Sequence, residues 1–311
     1  MLEQIVVVIL GLVLCLVVSA NNASICFGTS VGTGIISNLK ASFLVSIGLL
    51  LGLFAEGTKL FQAVPNGILA NFDYNSVVAI FVASISVTVV ATILRLPLAV
   101  SSAMVGASIG AGLALQEGIN WSYTMIVFLS WLFTPLIAFA VSILANVLIL
   151  RIGSRIGGVV TYYAATKWLN LVGVFYVSYV LGANTLGLIS GITNSFVGNT
   201  INVLAVSGVA SVIGVFFLSA GVARTIGSEI LDLGTTTALA AQLGGAFTIH
   251  LFTQFRVPVP VSEAVVGGVI GVGSSRRITL MNRPLVRKIL SGWLISPFVG
   301  AVIAYFLSFL L

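Results

Sequence analysis

The chain is too apolar to be a soluble protein. Of its 311 residues, 59% are apolar and 6% are charged, whereas soluble domains carry about 25% charged residues, and the mean hydropathy is +1.21. The net charge of +6 does not indicate a nucleic-acid partner, because the basic residues fall between apolar stretches, where membrane topology places them.

The first apolar run starts at the N-terminus and is predicted to be a mature membrane span. Residues 1–4, MLEQ, lack the positive charge that precedes the apolar core of a signal peptide. Cys15 and Cys26 lie within apolar segments. They are therefore predicted to be small buried hydrophobes, with no disulfide or metal-binding role.

Ten predominantly apolar segments approach or exceed the length needed to cross a hydrocarbon core of roughly 30 Å. They run over 5–36, 41–63, 76–94, 97–116, 122–150, 169–195, 200–221, 234–254, 258–273 and 289–311. The sequence therefore predicts an all-α polytopic membrane protein.

Charged residues between the segments predict the orientation. With the N-terminus outside, Lys40 and Arg95 fall on the cytoplasmic side, whereas Asp73 and Glu117 fall outside. This distribution follows the positive-inside rule, and Arg256 is the one cation on the wrong side. The most basic loop is also cytoplasmic, and it holds Arg276, Arg277, Arg283, Arg287 and Lys288.

Two segments carry polar residues in mid-run, and two others are short. Residues 19–22 (SANN) interrupt the first segment and residues 182–185 (GANT) the sixth. Polar groups are costly in a lipid-facing helix, so we predict a broken helix at each place. Segments 97–116 and 258–273 begin with proline and are rich in Gly and Ser. They are predicted to be re-entrant hairpins or short full spans.

The two halves of the chain resemble each other. Asn21 recurs as Asn184 at an offset of 163 residues, and WLFTP recurs as WLISP, as LPLAVSSAMVGASIG does as VPVPVSEAVVGGVIG. We therefore predict a first repeat over 1–155, a cytoplasmic connection over 156–168 and a second repeat over 169–311. Each repeat has about five segments, an odd number, so the second copy is inverted, as in many secondary transporters.

Candidate substrate-binding residues surround the two interruptions and lie in the two short segments. Helix N-termini at the breaks would offer free amides and about half a positive charge each, and such ends bind anions without Arg or Lys. Small polar residues also serve as packing contacts between membrane helices, but their recurrence at matched positions favours binding. The candidates are Asn21, Asn22, Ser24, Ser101, Ser102, Asn184, Thr185 and Ser262.

Glu263 is the candidate coupling residue, because an ionisable group within an apolar segment is rare and usually functional. The structural alternative is an interfacial pair with Arg256. Glu56 and Lys59 are predicted to form a neutralised pair on one helix face. His250 is a lone histidine near the end of a segment, expected to have no carboxylate or cysteine companion, and it is predicted to be interfacial.

The motifs resemble those of the inorganic phosphate transporter (PiT) family, including its sulfate permease branch. That family carries two GANDVANAFG-type motifs, each followed by a PVSTTHAxVGA-type segment. Here the motifs read SANNASICFGTSVGTG and LGANTLGLISG, the later segments end VGASIGAG and VGGVIGVG, and GVARTIGSEILDL is also similar. The resemblance covers nearly the whole chain. It implies the inverted-repeat fold, an oxyanion bound between the motif pairs, ion coupling and a homodimer.

The departures from the family pattern fall on the site itself. Asn22 and Thr185 stand where the family has Asp, and Ser102 and Glu263 stand where it has His. The loss of both aspartates removes the family's usual Na⁺ ligands. Sulfate is fully ionised and is held by donors alone, whereas hydrogen phosphate carries a proton that needs an acceptor. The remaining amides and hydroxyls therefore favour sulfate, although Glu263 offers an acceptor for phosphate.

The sequence thus predicts a secondary-active transporter of an inorganic oxyanion, sulfate or phosphate, in the plasma membrane. It would be an H⁺- or Na⁺-coupled symporter that works by alternating access. We expect no enzymatic activity, no metal or other cofactor, and no nucleic-acid partner. An anion channel and a non-transporting sensor or scaffold stay open as alternatives. An intramembrane aspartyl protease is a poor alternative, because Asp73 and Asp232 lie in or near loops.

Overall fold

The computed structural model describes residues 1–70, 72–94, 99–218, 233–275 and 282–311, which are almost entirely helical and contain no β-strand. Several features discussed above lie outside these residues, namely Arg95, Pro97, Asp232, Arg276, Arg277 and all but the last residue of GVARTIGSEILDL.

The described helices match the ten predicted segments. In chain order they are α1 (Leu2–Gly32), α2 (Asn38–Glu56) with a 3₁₀ turn (Gly57–Leu60), α3 (Tyr74–Ile93), α4 (Val100–Ala114), α5 (Trp121–Gly153), α6 (Val159–Leu181), a π-helical turn (Gly182–Leu186), α7 (Gly187–Val197), α8 (Thr200–Leu218), α9 (Thr235–Gln254), α10 (Val261–Ser275) and α11 (Arg283–Ser308). Because α6, the π turn and α7 form one continuous stretch, each of the ten predicted segments corresponds to one helical stretch.

Seven helical stretches within the described residues are long and apolar enough to cross a membrane. The chain is therefore a multi-pass membrane protein. Helices α4 and α10 have 15 residues each and are about 22 Å long at 1.5 Å per residue, so neither crosses the hydrocarbon core alone. The division into repeats at 155 and 169 stays a prediction, but most of the intervening residues are helical, because α6 already begins at Val159.

The two predicted helix breaks are wrong in the form stated. Helix α1 is continuous through residues 19–22, and α6 continues into α7 through the π turn Gly182–Leu186. The polar side chains of both stretches are buried against other helices, so they face protein and not lipid, and the helical hydrogen bonds can persist. The π turn widens the second helix locally, a feature that is frequent at functional sites.

The packing of the helices is reciprocal between the two halves. Helix α1 packs on α8 as α6 packs on α2, α3 packs on α11 as α9 packs on α5, and α4 packs on α11 as α10 packs on α5. Two copies of one five-segment unit, related by a pseudo-two-fold axis, would make these same paired contacts.

The two short helices point in opposite directions. Helix α4 ends at Ala114, close in the chain to the start of α5 at Trp121. The last residue of α10, Ser275, accepts a hydrogen bond from Asn146 Nδ2 at 3.4 Å, near the other end of α5. Because α5 has 33 residues and is about 50 Å long, the two C-termini are far apart and both N-termini point inward. This is the inverted arrangement that the sequence predicts.

Hydrogen bonds at the helix ends support the predicted alternation of sides. Each joins residues predicted to lie on the same side of the membrane. On the predicted outer side, Gln4 Nε2 donates to Phe196 O at 3.0 Å, Lys59 Nζ to Gln254 Oε1 at 2.6 Å, and Tyr123 OH to Arg256 O at 2.8 Å. On the predicted cytoplasmic side, the hydroxyls of Tyr162 and Thr236 lie 2.8 Å apart.

Glycines fix the close approach of the short helices to their long partners. A β-carbon added to any of four glycines would collide with backbone atoms of the neighbouring helix, and the positions match between the halves. Gly106 and Gly110 of α4 meet Pro297 and Ala301 of α11, and Gly267 and Gly271 of α10 meet Pro135 and Phe139 of α5. Small residues four apart allow this close backbone approach in membranes.

We expect Gly106→Ala to lower the free energy of unfolding by about 1–3 kcal/mol, because overpacking of a tight contact strains the backbone. The obstacle is the Pro297 carbonyl oxygen, which cannot rotate away. Gly292→Ala on α11 is the matched control, since nothing lies within 4 Å of the added carbon. Thermal unfolding in detergent measures both variants, and equal melting temperatures would contradict the packing described here.

Candidate functional site

All nine predicted site residues are buried inside the helix bundle, with at most 4% of each side chain exposed. They face protein and not lipid. We call α1 and the continuous stretch of α6, the π turn and α7 the motif helices, because they carry the two asparagine motifs. The motif helices contact each other, since α1 packs against both α6 and α7. The nine residues are Asn21, Asn22, Ser24, Ser101, Ser102, Asn184, Thr185, Ser262 and Glu263.

Asn184 holds the segment that leads into α10. Its Nδ2 donates to Thr253 Oγ1 at 2.9 Å and to Val257 O at 3.2 Å, and its Oδ1 accepts from Val259 N at 3.1 Å. Both amide protons and one acceptor position are thus committed to the protein. These contacts commit Asn184 to holding the segment before α10, and its contact with an anion, expected from the sequence, stays a prediction.

Asn21 makes the matching contact in the first half. Its Nδ2 donates to Thr92 Oγ1 at 3.2 Å, near the end of α3. The hydroxyls of Thr92 and Thr253 each donate to the carbonyl one turn earlier, at 2.8 Å. Sequence reasoning missed both threonines. The available signal was the string T-x-x-R-x-P, which reads TILRLP and TQFRVP at an offset of 161 residues.

The free helix N-termini belong to α4 and α10 and not to the asparagine motifs. The first three amides of a helix have no partner within it, and the helix dipole adds partial positive charge at that end. Ser101 and Ser102 lie in the first turn of α4, and Ser262 and Glu263 lie in the first turn of α10. Anion attraction by helix N-termini stays a prediction, and the ends that could supply it are those of α4 and α10.

Several buried polar atoms near these turns lack a hydrogen-bond partner among the described residues. They are Ser101 Oγ, Ser102 Oγ, Thr185 Oγ1 and Asn22 Oδ1. A buried polar atom without a partner costs about 1–3 kcal/mol. The hydroxyls of Ser101, Ser102 and Thr185 can donate and are therefore candidate contacts for an anion, whereas Asn22 Oδ1 can only accept. Ser24 differs, because its Oγ donates to Ala20 O at 3.0 Å.

The site is almost free of charged side chains. Among the buried residues that the structure describes, Glu263 is the only Asp, Glu, Lys, Arg or His. A bound anion would therefore be held by hydroxyls, amides and helix ends. Such groups can bind an anion without a basic side chain, because backbone amides at helix N-termini bind sulfate and phosphate.

Gln242 forms a buried polar network that sequence reasoning also missed. Its Nε2 donates to Thr29 Oγ1 at 2.8 Å and to Ser30 Oγ at 2.7 Å. Ser30 Oγ lies 3.5 Å from Asn170 Oδ1. The network joins α1, α6 and α9, and the available signal was an isolated amide side chain within a long apolar segment.

Glu263 alone among the predicted site residues lines a cavity of about 720 Å³, whose other lining residues are apolar or aromatic. The pair with Arg256, considered as an alternative, is absent from the described residues, whose ion pairs are Lys59 to Glu56 and His250 to Glu56. Glu263 therefore remains a candidate for a functional role.

The predicted pair of Glu56 and Lys59 is confirmed, with Lys59 Nζ and Glu56 Oε2 3.4 Å apart. The expectation that His250 has no carboxylate companion is wrong, because its Nε2 lies 3.3 Å from Glu56 Oε2. Tyr176 OH hydrogen bonds to His250 Nδ1 at 2.8 Å. These partners are distant in the sequence, so spacing along the chain did not indicate them.

Comparison with known proteins identifies the family. The model of the phosphate transporter family matches residues 18–164 and 157–304, which together span most of the chain. The chain belongs to the phosphate transporter family. The resemblance read from the two motifs is therefore confirmed.

Members of the phosphate transporter family with different named substrates are similar to this chain. A protein of Methanocaldococcus jannaschii that carries the name of a phosphate permease is 22% identical over 307 residues, covering 96% of this chain and 95% of that protein. The sulfate permease CysP of Bacillus subtilis is 24% identical over 314 residues, covering 93% of this chain and 83% of that protein. A solved structure named as the sodium-dependent phosphate transporter shares the fold, with a TM-score of 0.90, 19% identity and coverage of 100% of this chain and 99% of that one.

We expect Asn184→Ala to lower both the melting temperature and the affinity for the anion. The variant loses three hydrogen bonds that fix the start of α10, a loss of about 2–3 kcal/mol. Thermal unfolding and calorimetric titration with sulfate measure the two effects. A weakened affinity with an unchanged melting temperature would instead make Asn184 a direct ligand.

We expect Thr185→Val to separate stability from binding. The near-isosteric change removes a hydroxyl that has no partner in the described residues, so the melting temperature should stay equal or rise. Anion affinity should fall by about tenfold, as expected for loss of one hydrogen bond to a charged ligand. Thr248→Val is the matched control, because that buried hydroxyl bonds Gly244 O at 2.8 Å. Equal effects of the two substitutions on affinity would contradict a role for Thr185 in binding.

Proposed function

We propose that the chain is a secondary-active transporter of an inorganic oxyanion in the plasma membrane. One observation carries the proposal. Two short, oppositely directed helices begin within the membrane-spanning body, and two serines in the first turn of α4 have buried hydroxyls without a partner in the described residues. Free amides, hydroxyls and two helix dipoles form an anion-binding environment that needs no cationic side chain.

We favour sulfate over phosphate as the substrate. The relatives are named for both anions, as a sulfate permease in Bacillus subtilis and as sodium-dependent phosphate transporter 1 in Rattus norvegicus, which is 31% identical over 186 residues, 54% of this chain and 27% of that protein. Sulfate needs donors only, and the backbone amides and hydroxyls at the starts of α4 and α10 can supply them. Hydrogen phosphate would need an acceptor for its proton, a role that only Glu263 could fill among the buried carboxyl groups of the described residues.

We infer that transport proceeds by alternating access. Asn21 and Asn184 would hold the starts of the short helices in place, and Asn22, Thr185, Ser101, Ser102 and Ser262 would contact the anion. The reciprocal packing of the halves supports rocking of one repeat against the other. The widened π turn at Gly182–Leu186 is a place where the second motif helix can change its hydrogen bonding with little loss.

Proton coupling through Glu263 is favoured over sodium coupling. Asn22 and Thr185 occupy the positions of the family's aspartates, so two anionic ligands for Na⁺ are missing from the motifs. Glu263 is the one buried carboxyl group of the described residues and thus the candidate carrier of a coupled proton. A homodimer, implied by the family resemblance, stays a prediction.

Uptake by proteoliposomes tests the function. The purified protein should accumulate radiolabelled sulfate in preference to phosphate under an inward H⁺ gradient, with saturation and counterflow. Conductance without counterflow would indicate an anion channel. A protein that binds neither anion in calorimetry and moves neither across the membrane would be a sensor or scaffold with a transporter fold.

We expect Glu263→Gln to keep sulfate counterflow while losing accumulation driven by the H⁺ gradient. The change removes the titratable group but keeps the size and an oxygen acceptor. Glu56→Gln is the matched control, because Glu56 lies in the network with Lys59 and His250 and away from α4 and α10. Proton-driven accumulation at the wild-type level in the Glu263 variant would remove this residue from the mechanism.

A further inference from the structure

The cavity of about 720 Å³ lies among α4, α5, α10 and α11. Its lining includes residues at equivalent positions of the two repeats, Trp131 with Trp293 and Pro135 with Pro297. It is therefore placed between the two halves of the fold. Its volume falls within the roughly 300–1,000 Å³ typical of sites for small organic ligands.

The cavity lining combines one carboxyl group with several aromatic side chains. Glu263 is the only ionisable residue of the lining, and it is 4% exposed. Phe128, Trp131 and Trp293 contribute aromatic rings to the same cavity. Aromatic faces attract cations, and a carboxylate in an apolar setting is stabilised by an opposite charge. Together these groups are complementary to a ligand that is both cationic and apolar.

Smaller or differently charged ligands fit this lining less well. An inorganic cation would lose its hydration shell and find only one oxygen-bearing side chain in exchange. An inorganic anion would meet the carboxylate and no basic side chain. An organic cation keeps apolar contacts over most of its surface and places its charge near Glu263.

The cavity opens toward the lipid-facing surface of the bundle. Two residues of its lining, Leu294 and Phe298 of α11, are 71% and 72% exposed. A ligand that partitions into the bilayer can therefore reach the cavity from the side without passing along the anion pathway. This route suits a lipophilic cation and excludes hydrophilic ones.

We propose that this cavity is a binding site for a lipophilic organic cation, with Glu263 as its counter-ion and the tryptophans as its walls. The proposal shares Glu263 with the proposed coupling mechanism, but it does not depend on which anion is transported. Because binding is measured without an anion or a gradient, failure of this proposal leaves the proposed transport function untouched.

Two ions of nearly the same shape and opposite charge test the proposal. Equilibrium dialysis of the full-length protein in detergent would compare radiolabelled tetraphenylphosphonium with tetraphenylborate. Tetraphenylphosphonium should bind saturably, and tetraphenylborate should bind more weakly by about tenfold or more. Equal binding of both ions would show a merely apolar groove suited to lipid acyl chains. Binding of neither would show that the groove is covered, for example by a second copy of the chain. Either result overturns the proposal.

Variants assign the charge preference to residues. Glu263→Gln should remove the preference for the cation, Glu263→Asp should retain it, and Glu56→Gln should leave it unchanged. If the Gln variant does not fold, Trp131→Leu keeps the carboxylate and removes an aromatic wall, and it should weaken tetraphenylphosphonium binding by about tenfold. An unchanged preference in Glu263→Gln, or unchanged cation affinity in Trp131→Leu, contradicts the assigned site.

Discussion

The proposed site depends on one kind of contact. It is the hydrogen bond from an asparagine of each motif to a threonine near the end of the helix that precedes a short helix. It occurs twice, as Asn21 to Thr92 and as Asn184 to Thr253. In the second half, the same amide also binds the segment that leads into α10. These last two bonds hold the segment before α10, and hence the position of its free amides and positive dipole end. Because the motif helices contact each other, the two asparagines lie in the same helix bundle.

Topology and symmetry were predictable from the sequence, since both rest on patterns that repeat at a fixed offset. The apparent misplacement of Arg256 has a physical explanation in that symmetry. Arg95 and Arg256 occupy the same position of the T-x-x-R-x-P string, and equivalent residues of inverted repeats lie on opposite sides of the membrane. An outer Arg256, hydrogen bonded through its carbonyl to Tyr123, is therefore a consequence of the inversion and not an exception to the fold.

The form of the site was less predictable, because it depends on contacts between residues distant in the sequence. Ser and Asn residues in an apolar segment suggest a broken helix if the segment is assumed to face lipid. In the folded chain these residues meet other helices, so α1 stays continuous and the free amides arise at α4 and α10. The same limitation hid the partners of His250 and Gln242, whose contacts come from helices far along the chain. The sequence indicated most of the candidate residues, whereas the contacts that each of them makes depend on the packing.

The most direct test is the position of a bound oxyanion. Selenate is a close analogue of sulfate, and its selenium gives an anomalous diffraction signal. A crystal structure of the full chain with selenate should show one buried selenium peak within hydrogen-bond reach of the first turn of α4 or α10 and next to Thr185. Selenium found only at the protein surface, or in the aromatic cavity beside Glu263, would contradict the account.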